Sequence, residues 1–128
     1  MSKKIQEKLV STREKGEAAE QLARDHLLKE GWRVLDTNWY HGHLELDIVA
    51  REGNTLVIVE VKSCNGLRYE HPSEAVTNIK MKRLIDAAEA YIFQNNLWLE
   101  TRFDVITVIF SGQDFELEHF RNAFYPTL

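Results

Sequence analysis

The sequence predicts an α/β fold in which a central mixed sheet is covered by helices, and three features carry that reading. Residues Glu14–Glu30 and a stretch from Pro72 to Ile92 repeat their apolar residues at helical spacing. Between them lie three runs rich in β-branched and aromatic residues, and a further pair of such runs follows the second helix. Helices this sparse must lie on the faces of the sheet rather than bury one another. At 128 residues, with no repeats or proline-rich linkers, residues 1–128 are read as a single domain.

The first dozen residues, MSKKIQEKLVST, are polar and charged, and are expected to fray. They lack the apolar core of a signal peptide, and no later run approaches a membrane span, so no membrane partner is expected. In the first helix Ala18, Ala19, Leu22, Ala23, His26 and Leu27 form the apolar stripe, and Gly31 supplies a stop. Strands are expected over Trp32–Tyr40, His43–Ala50 and Leu56–Lys62, the last two joined through a Gly53-Asn54 turn. Asn65–Glu70 reads as a loop. Pro72-Ser73-Glu74 opens a helix carried on through Val76, Ile79, Leu84, Ile85, Ala88, Tyr91 and Ile92, and Asn95-Asn96 stops it. Phe103–Phe110 and Phe115–Phe120 close the chain as paired strands about a turn at Ser111–Asp114.

Sixteen Lys and Arg against twenty Asp and Glu leave a formal charge of −4, which argues against a protein that coats nucleic acid. The charge is unevenly placed: Val76–Ile85 carries Lys80, Lys82 and Arg83 with no acid, a basic cluster that suits either a solvated helix face or a phosphate backbone. The single cysteine, Cys64, excludes an internal disulfide and suits a reducing cytoplasm.

The chemistry concentrates in LVIVEVKSC, Leu56–Cys64, where an acid and a base interrupt a strand of core residues. Side chains alternate along a strand, so Glu60 and Lys62 share a face, as do Glu45 and Asp47. A hairpin centred on Gly53-Asn54 sets Asp47 opposite Glu60 and Glu45 opposite Lys62. Two carboxylates side by side in an apolar sheet repel; either one stays protonated or a divalent cation binds between them. Carboxylate oxygens alone select a hard cation, Mg2+ or Mn2+ first. His41-Gly42-His43 is a weak ligand pattern, and no Cys/His set has zinc spacing. Lys62 would place a cation beside a metal-bound water.

Asp47 followed by Glu60-Val61-Lys62 resembles the core of restriction-endonuclease-like, or PD-(D/E)XK, nucleases. The whole chain beyond its first dozen residues is similar to the YraN-type family of small bacterial predicted endonucleases, themselves distantly similar to archaeal Holliday-junction resolvases. The resemblance runs through Lys15-Gly16-Glu17, Thr37-Asn38-Trp39, Glu45–Ala50, Val59–Lys62, Pro72–Val76 with Lys80, Arg102–Val105 and Asn122-Ala123-Phe124. It implies an αβββαβ core, metal-binding carboxylates at Asp47 and Glu60, and a catalytic lysine at Lys62. It also brings Glu17 and Glu45 toward the metal, although Glu17 equally suits a solvated helix position and Glu45 a partner for Lys62. The chain departs from the family at Leu44, where glycine is usual, and at Ser63-Cys64, where threonine-arginine is usual.

The implied function is Mg2+- or Mn2+-dependent hydrolysis of DNA phosphodiesters, branched or structured DNA included, with Lys80, Lys82 and Arg83 steering the backbone. A catalytically inactive nucleic-acid-binding or scaffold protein of the same fold is the alternative, and a protein-interaction module with a buried charge cluster is the third. The closing strands and Asn122-Ala123-Phe124 suit a homodimer contact, as in resolvases, or packing within the chain.

Overall fold

A computed structural model describes residues 12–65 and 72–126. The elements run α1 (Thr12–Lys29), β1 (Arg33–His41), β2 (Leu44–Glu52), β3 (Thr55–Asn65), α2 (Pro72–Ala75), α3 (Asn78–Asn95), β4 (Glu100–Ser111) and β5 (Asp114–Phe124). The expected frayed segment lies outside the described residues apart from Thr12, which begins α1, and the expected loop lies outside them beyond Asn65. The strands form one sheet in the order β1-β2-β3-β4-β5, antiparallel throughout except for the parallel β3–β4 pair. This is a mixed five-stranded α/β sheet with the αβββαβ order of a restriction-endonuclease-like core, extended by β5.

Alternation along the strands sends one set of side chains to each helix. Val57 and Val59 of β3, with Ile106 and Val108 of β4, pack against Ala19, Ala23 and Leu27 of α1. Leu56 and Ile58, with Phe103 and Val105, pack against Leu84, Ala87, Ala88 and Tyr91 of α3. Phe124 stacks on Phe103 at 5.0 Å between ring centres, so the C-terminal aromatic is packed within the chain.

The second helix departs from the expectation of one continuous element. It breaks at Val76-Thr77: Val76 is buried in the α3-side core, and extended Thr77 caps α3 by accepting a hydrogen bond from the Lys80 N–H at 3.2 Å. A threonine whose hydroxyl satisfies a first-turn donor is a stronger start than the upstream proline turn, so the helix restarts there. The other end stops as expected, with Asn96 in the left-handed conformation at φ 52°.

Tyr91 ties α3 to the edge of the sheet. Its ring is buried and its hydroxyl donates to Asp36 Oδ2 at 2.8 Å, with burial and Asp36 both holding the phenol protonated. Tyr91→Phe is expected to lower stability by about 1.5–3 kcal/mol, the range for a hydrogen bond to a charged group. A urea-unfolding midpoint unchanged from wild type would show that Asp36 finds another donor.

Candidate metal centre

The two-residue turn at Gly53, φ 58°, sets the β2–β3 register from Glu52 opposite Thr55 to Ile48 opposite Val59. That is the register the sequence implies, and its next step would be Asp47 opposite Glu60. The backbone ladder stops one pair short. There the Asp47 side chain takes over, its Oδ2 accepting the Val61 N–H at 2.9 Å. β1 is distorted at the same level: Thr37 faces Ile48 and Trp39 faces Leu46, while Asn38 between them has φ 48°.

Strict alternation also lapses in β2. Leu46 and Ile48 would share a face in a regular strand, yet Leu46 packs into the α3-side core and Ile48 into the α1-side core. Asp47 sits between them where the strand turns over, and can therefore meet groups from both sides of the sheet.

On one side is Glu60, 3% exposed against 9% for Asp47. Burial first, then a hydrogen bond with Asp47 and the repulsion of its charge, pushes the Glu60 carboxyl up to about 9. Glu60 Oε2 has no hydrogen-bond partner. Lys80 Nζ lies 3.3 Å from that oxygen, within ion-pairing distance but outside hydrogen-bond geometry. Of the two lysines that draw Glu60 down, Lys80 acts more strongly than Lys62.

On the other side are Glu20 of α1 and Glu45 of β2. One oxygen from each of Glu20, Glu45 and Asp47 lies within 4.8 Å of the other two. Burial, then the Asp47 charge, raises Glu20, and a hydrogen bond with Asn38 opposes this. The groove here, about 130 Å³, is lined by Glu17, Glu20, Arg24, Thr37, Asn38 and Asp47. Drug-sized ligands occupy roughly 300–1,000 Å³, so this one suits an ion with its waters. A wider groove of about 520 Å³ between α3 and β4, beside Phe93 and Trp98, is largely apolar and contains none of these carboxylates.

The structure thus sets Asp47 against Glu60 on one side and against Glu45 on the other, and adds Glu20, which sequence reasoning passed over. Glu17 lies at the groove's outer margin, well exposed and paired with Arg13 at 3.3 Å. Glu45 joins the carboxylates, and no ion pair links it to Lys62 among the described residues. Lys62 is half-buried on β3 opposite Thr107. Lys80 contacts Glu60, whereas Lys82 and Arg83 are exposed.

All-oxygen donors at this spacing fit a hard divalent cation, and the buried Glu60 oxygen without a hydrogen-bond partner is a second feature such an ion would satisfy. Asp47, Glu20 and Glu45 are the residues placed to hold it, and Glu60 adjoins them through Asp47.

The uncharacterised protein family UPF0102 matches residues 19–108. A UPF0102 protein of Bacteroides thetaiotaomicron is 44% identical over 115 residues, covering 90% of this chain and 95% of its own. One from Flavobacterium psychrophilum is 40% identical over 110 residues, covering 86% and 92%. Another, from Chromohalobacter salexigens, is 38% identical over 113 residues, covering 88% and 92%. With the family match and these relatives spanning nearly the same length, the chain belongs to the UPF0102 family.

Proposed function

We propose that this protein is a metal-dependent nuclease that hydrolyses DNA phosphodiester bonds, with branched or structured DNA among its substrates. The observation that carries the reading is the position of Asp47. It stands where β2 and β3 part, hydrogen-bonded to a buried glutamic acid on one side and grouped with Glu20 and Glu45 on the other.

A Mg2+ or Mn2+ ion held by these carboxylates would supply Lewis-acid activation of the attacking water and offset charge on the phosphoryl oxygens. The chain's own contributions follow from its geometry. Asp47 is oriented by the Val61 N–H and so presents its carboxylate in one fixed direction. Glu20 is held by a hydrogen bond with Asn38, whose backbone is left-handed at φ 48°. Lys62, next on the Glu60 face of β3, positions the attacking water and stabilises charge developing on the phosphate. Exposed Lys82 and Arg83 add sequence-independent attraction for the backbone. The net charge of −4 and Ser63-Cys64 after the lysine favour the second reading, a nucleic-acid-binding scaffold without cleavage.

The deciding experiment is calorimetric titration of Mg2+ and Mn2+ into the protein, with cleavage of labelled linear and four-way-junction DNA by the same samples. Saturable binding with metal-dependent cleavage is expected. Binding of metal and DNA without cleavage would select the scaffold, and no metal binding would remove the centre altogether.

A further inference from the structure

We infer that Lys80 is a positioning residue, held on Glu60 until a divalent cation takes that carboxylate and then released to a backbone phosphate, so that metal binding and nucleic-acid binding are coupled. This rests on the nuclease reading above. Lys80 is the third residue of α3, and the restart of the helix at the Thr77 cap places it over the sheet at Glu60. Its ammonium lies 3.3 Å from Glu60 Oε2, yet that oxygen has no hydrogen-bond partner. The contact therefore lacks the directional hydrogen bond that would make it hard to break.

The two partners differ in their freedom. The Glu60 side chain is 3% exposed and fixed in the sheet, whereas that of Lys80 is 33% exposed on a flexible stem. A divalent ion on Glu60 and Asp47 would repel the ammonium, which is already one-third exposed and has Arg83, three residues on, as its exposed neighbour along the helix. Released, Lys80 adds its charge to the N-terminal end of α3, which also favours anions. Without the ion Lys80 is engaged with Glu60, and with it Lys80 is available to phosphate. By linkage each ligand then favours the other.

The test is the salt dependence of binding of a short DNA duplex by wild type, Lys80→Met and Lys80→Arg, with EDTA or with Ca2+. Calcium accepts oxygen ligands in a flexible shell at about 2.3–2.6 Å, which suits carboxylates at this spacing. Each phosphate contact steepens the dependence of log affinity on log salt by about 0.9 for duplex DNA. Without metal, wild type and Lys80→Met are expected to show the same slope. With Ca2+, wild type should be steeper by about 0.9, and Lys80→Arg should recover that difference. The cap survives in both variants because it uses the backbone N–H of residue 80. A wild-type slope steeper in both states would make Lys80 a permanent phosphate contact, and equal slopes in both would make it purely structural; either overturns the inference alone. Failure of wild type to bind DNA with Ca2+ present would overturn the inference and the nuclease reading together.

Discussion

Asp47→Asn is expected to weaken Mg2+ binding by more than ~100-fold and to abolish cleavage, while metal-free stability stays level or rises slightly. Losing an outer partner of a metal ligand typically costs about 10–100-fold in affinity or activity, and loss of the central ligand should exceed that. Stability should move the other way because the Asp47 carboxylate is crowded against Glu20 and Glu45, and removing its charge relieves that repulsion. Asparagine is the informative substitution. Its amide oxygen can still accept the Val61 N–H, whereas alanine would leave that donor without its partner, at a cost of about 1–3 kcal/mol if it is shut off from water. Calorimetric titration and urea unfolding of the two variants separate these effects. A marked loss of metal-free stability in Asp47→Asn would mean that the charge is structural, and would favour a buried charge cluster over a metal centre.

The fold was legible wherever a local signal sets a global choice. Gly53-Asn54 permits a two-residue turn, and that turn determines every pair from Glu52–Thr55 to Ile48–Val59. Glu60 and Lys62 stood out because charge in a β-branched run is costly unless it is used. Glu20 was hidden for the opposite reason: on a helix that also carries Glu14 and Glu17, one more glutamate looks solvated. Its signal was its spacing, three and seven residues before the buried Ala23 and Leu27, which turns it toward the sheet while Glu17 stays outside. The lapse of alternation at Asp47 had no sequence signal, because it arises where the β2–β3 ladder ends and Asn38 distorts β1. Strand β5 was expected to end at Phe120 but runs on to Phe124. Asp104 alone lies between the pairs Phe103–Phe124 and Val105–Phe120, facing a bulge of Arg121, Asn122 and Ala123. An aspartate in a strand does not announce that it will organise its neighbour's bulge.

That aspartate is the residue whose loss should cost the fold most. Asp104→Ala is expected to lower stability by about 3–5 kcal/mol, the range for removing one partner of a buried charge pair. The Asp104 side chain is wholly buried. It accepts hydrogen bonds from Arg102 Nε at 2.8 Å and Nη2 at 3.1 Å, from His119 Nε2 at 2.8 Å and from the Asn122 N–H at 2.9 Å. The other ring nitrogen of His119, Nδ1, lies 3.1 Å from His26 Nε2 of α1, so the cluster reaches the helix through a hydrogen bond between the two imidazoles. Alanine would orphan the Asn122 donor, which holds φ 55° in the bulge, and leave Arg102 with Glu52 as its remaining carboxylate. Acid unfolding gives an independent check. Burial pushes Asp104 up, but His119, Arg102 and the Asn122 N–H outweigh it and hold the carboxyl below its ordinary range. Its contribution is therefore complete above the unfolded value of about 3.9 and is lost as pH falls through the lower folded value. His26 is depressed by burial first and then by His119, so its penalty begins earlier, as pH drops through about 6.5 and the unfolded chain takes up a proton first. Urea-unfolding midpoints measured across pH should show both declines in wild type. In Asp104→Asn the decline below about pH 4 should flatten while the onset near pH 6.5 remains. An unchanged acid limb would mean that other carboxylates, not Asp104, set the acid stability of the sheet.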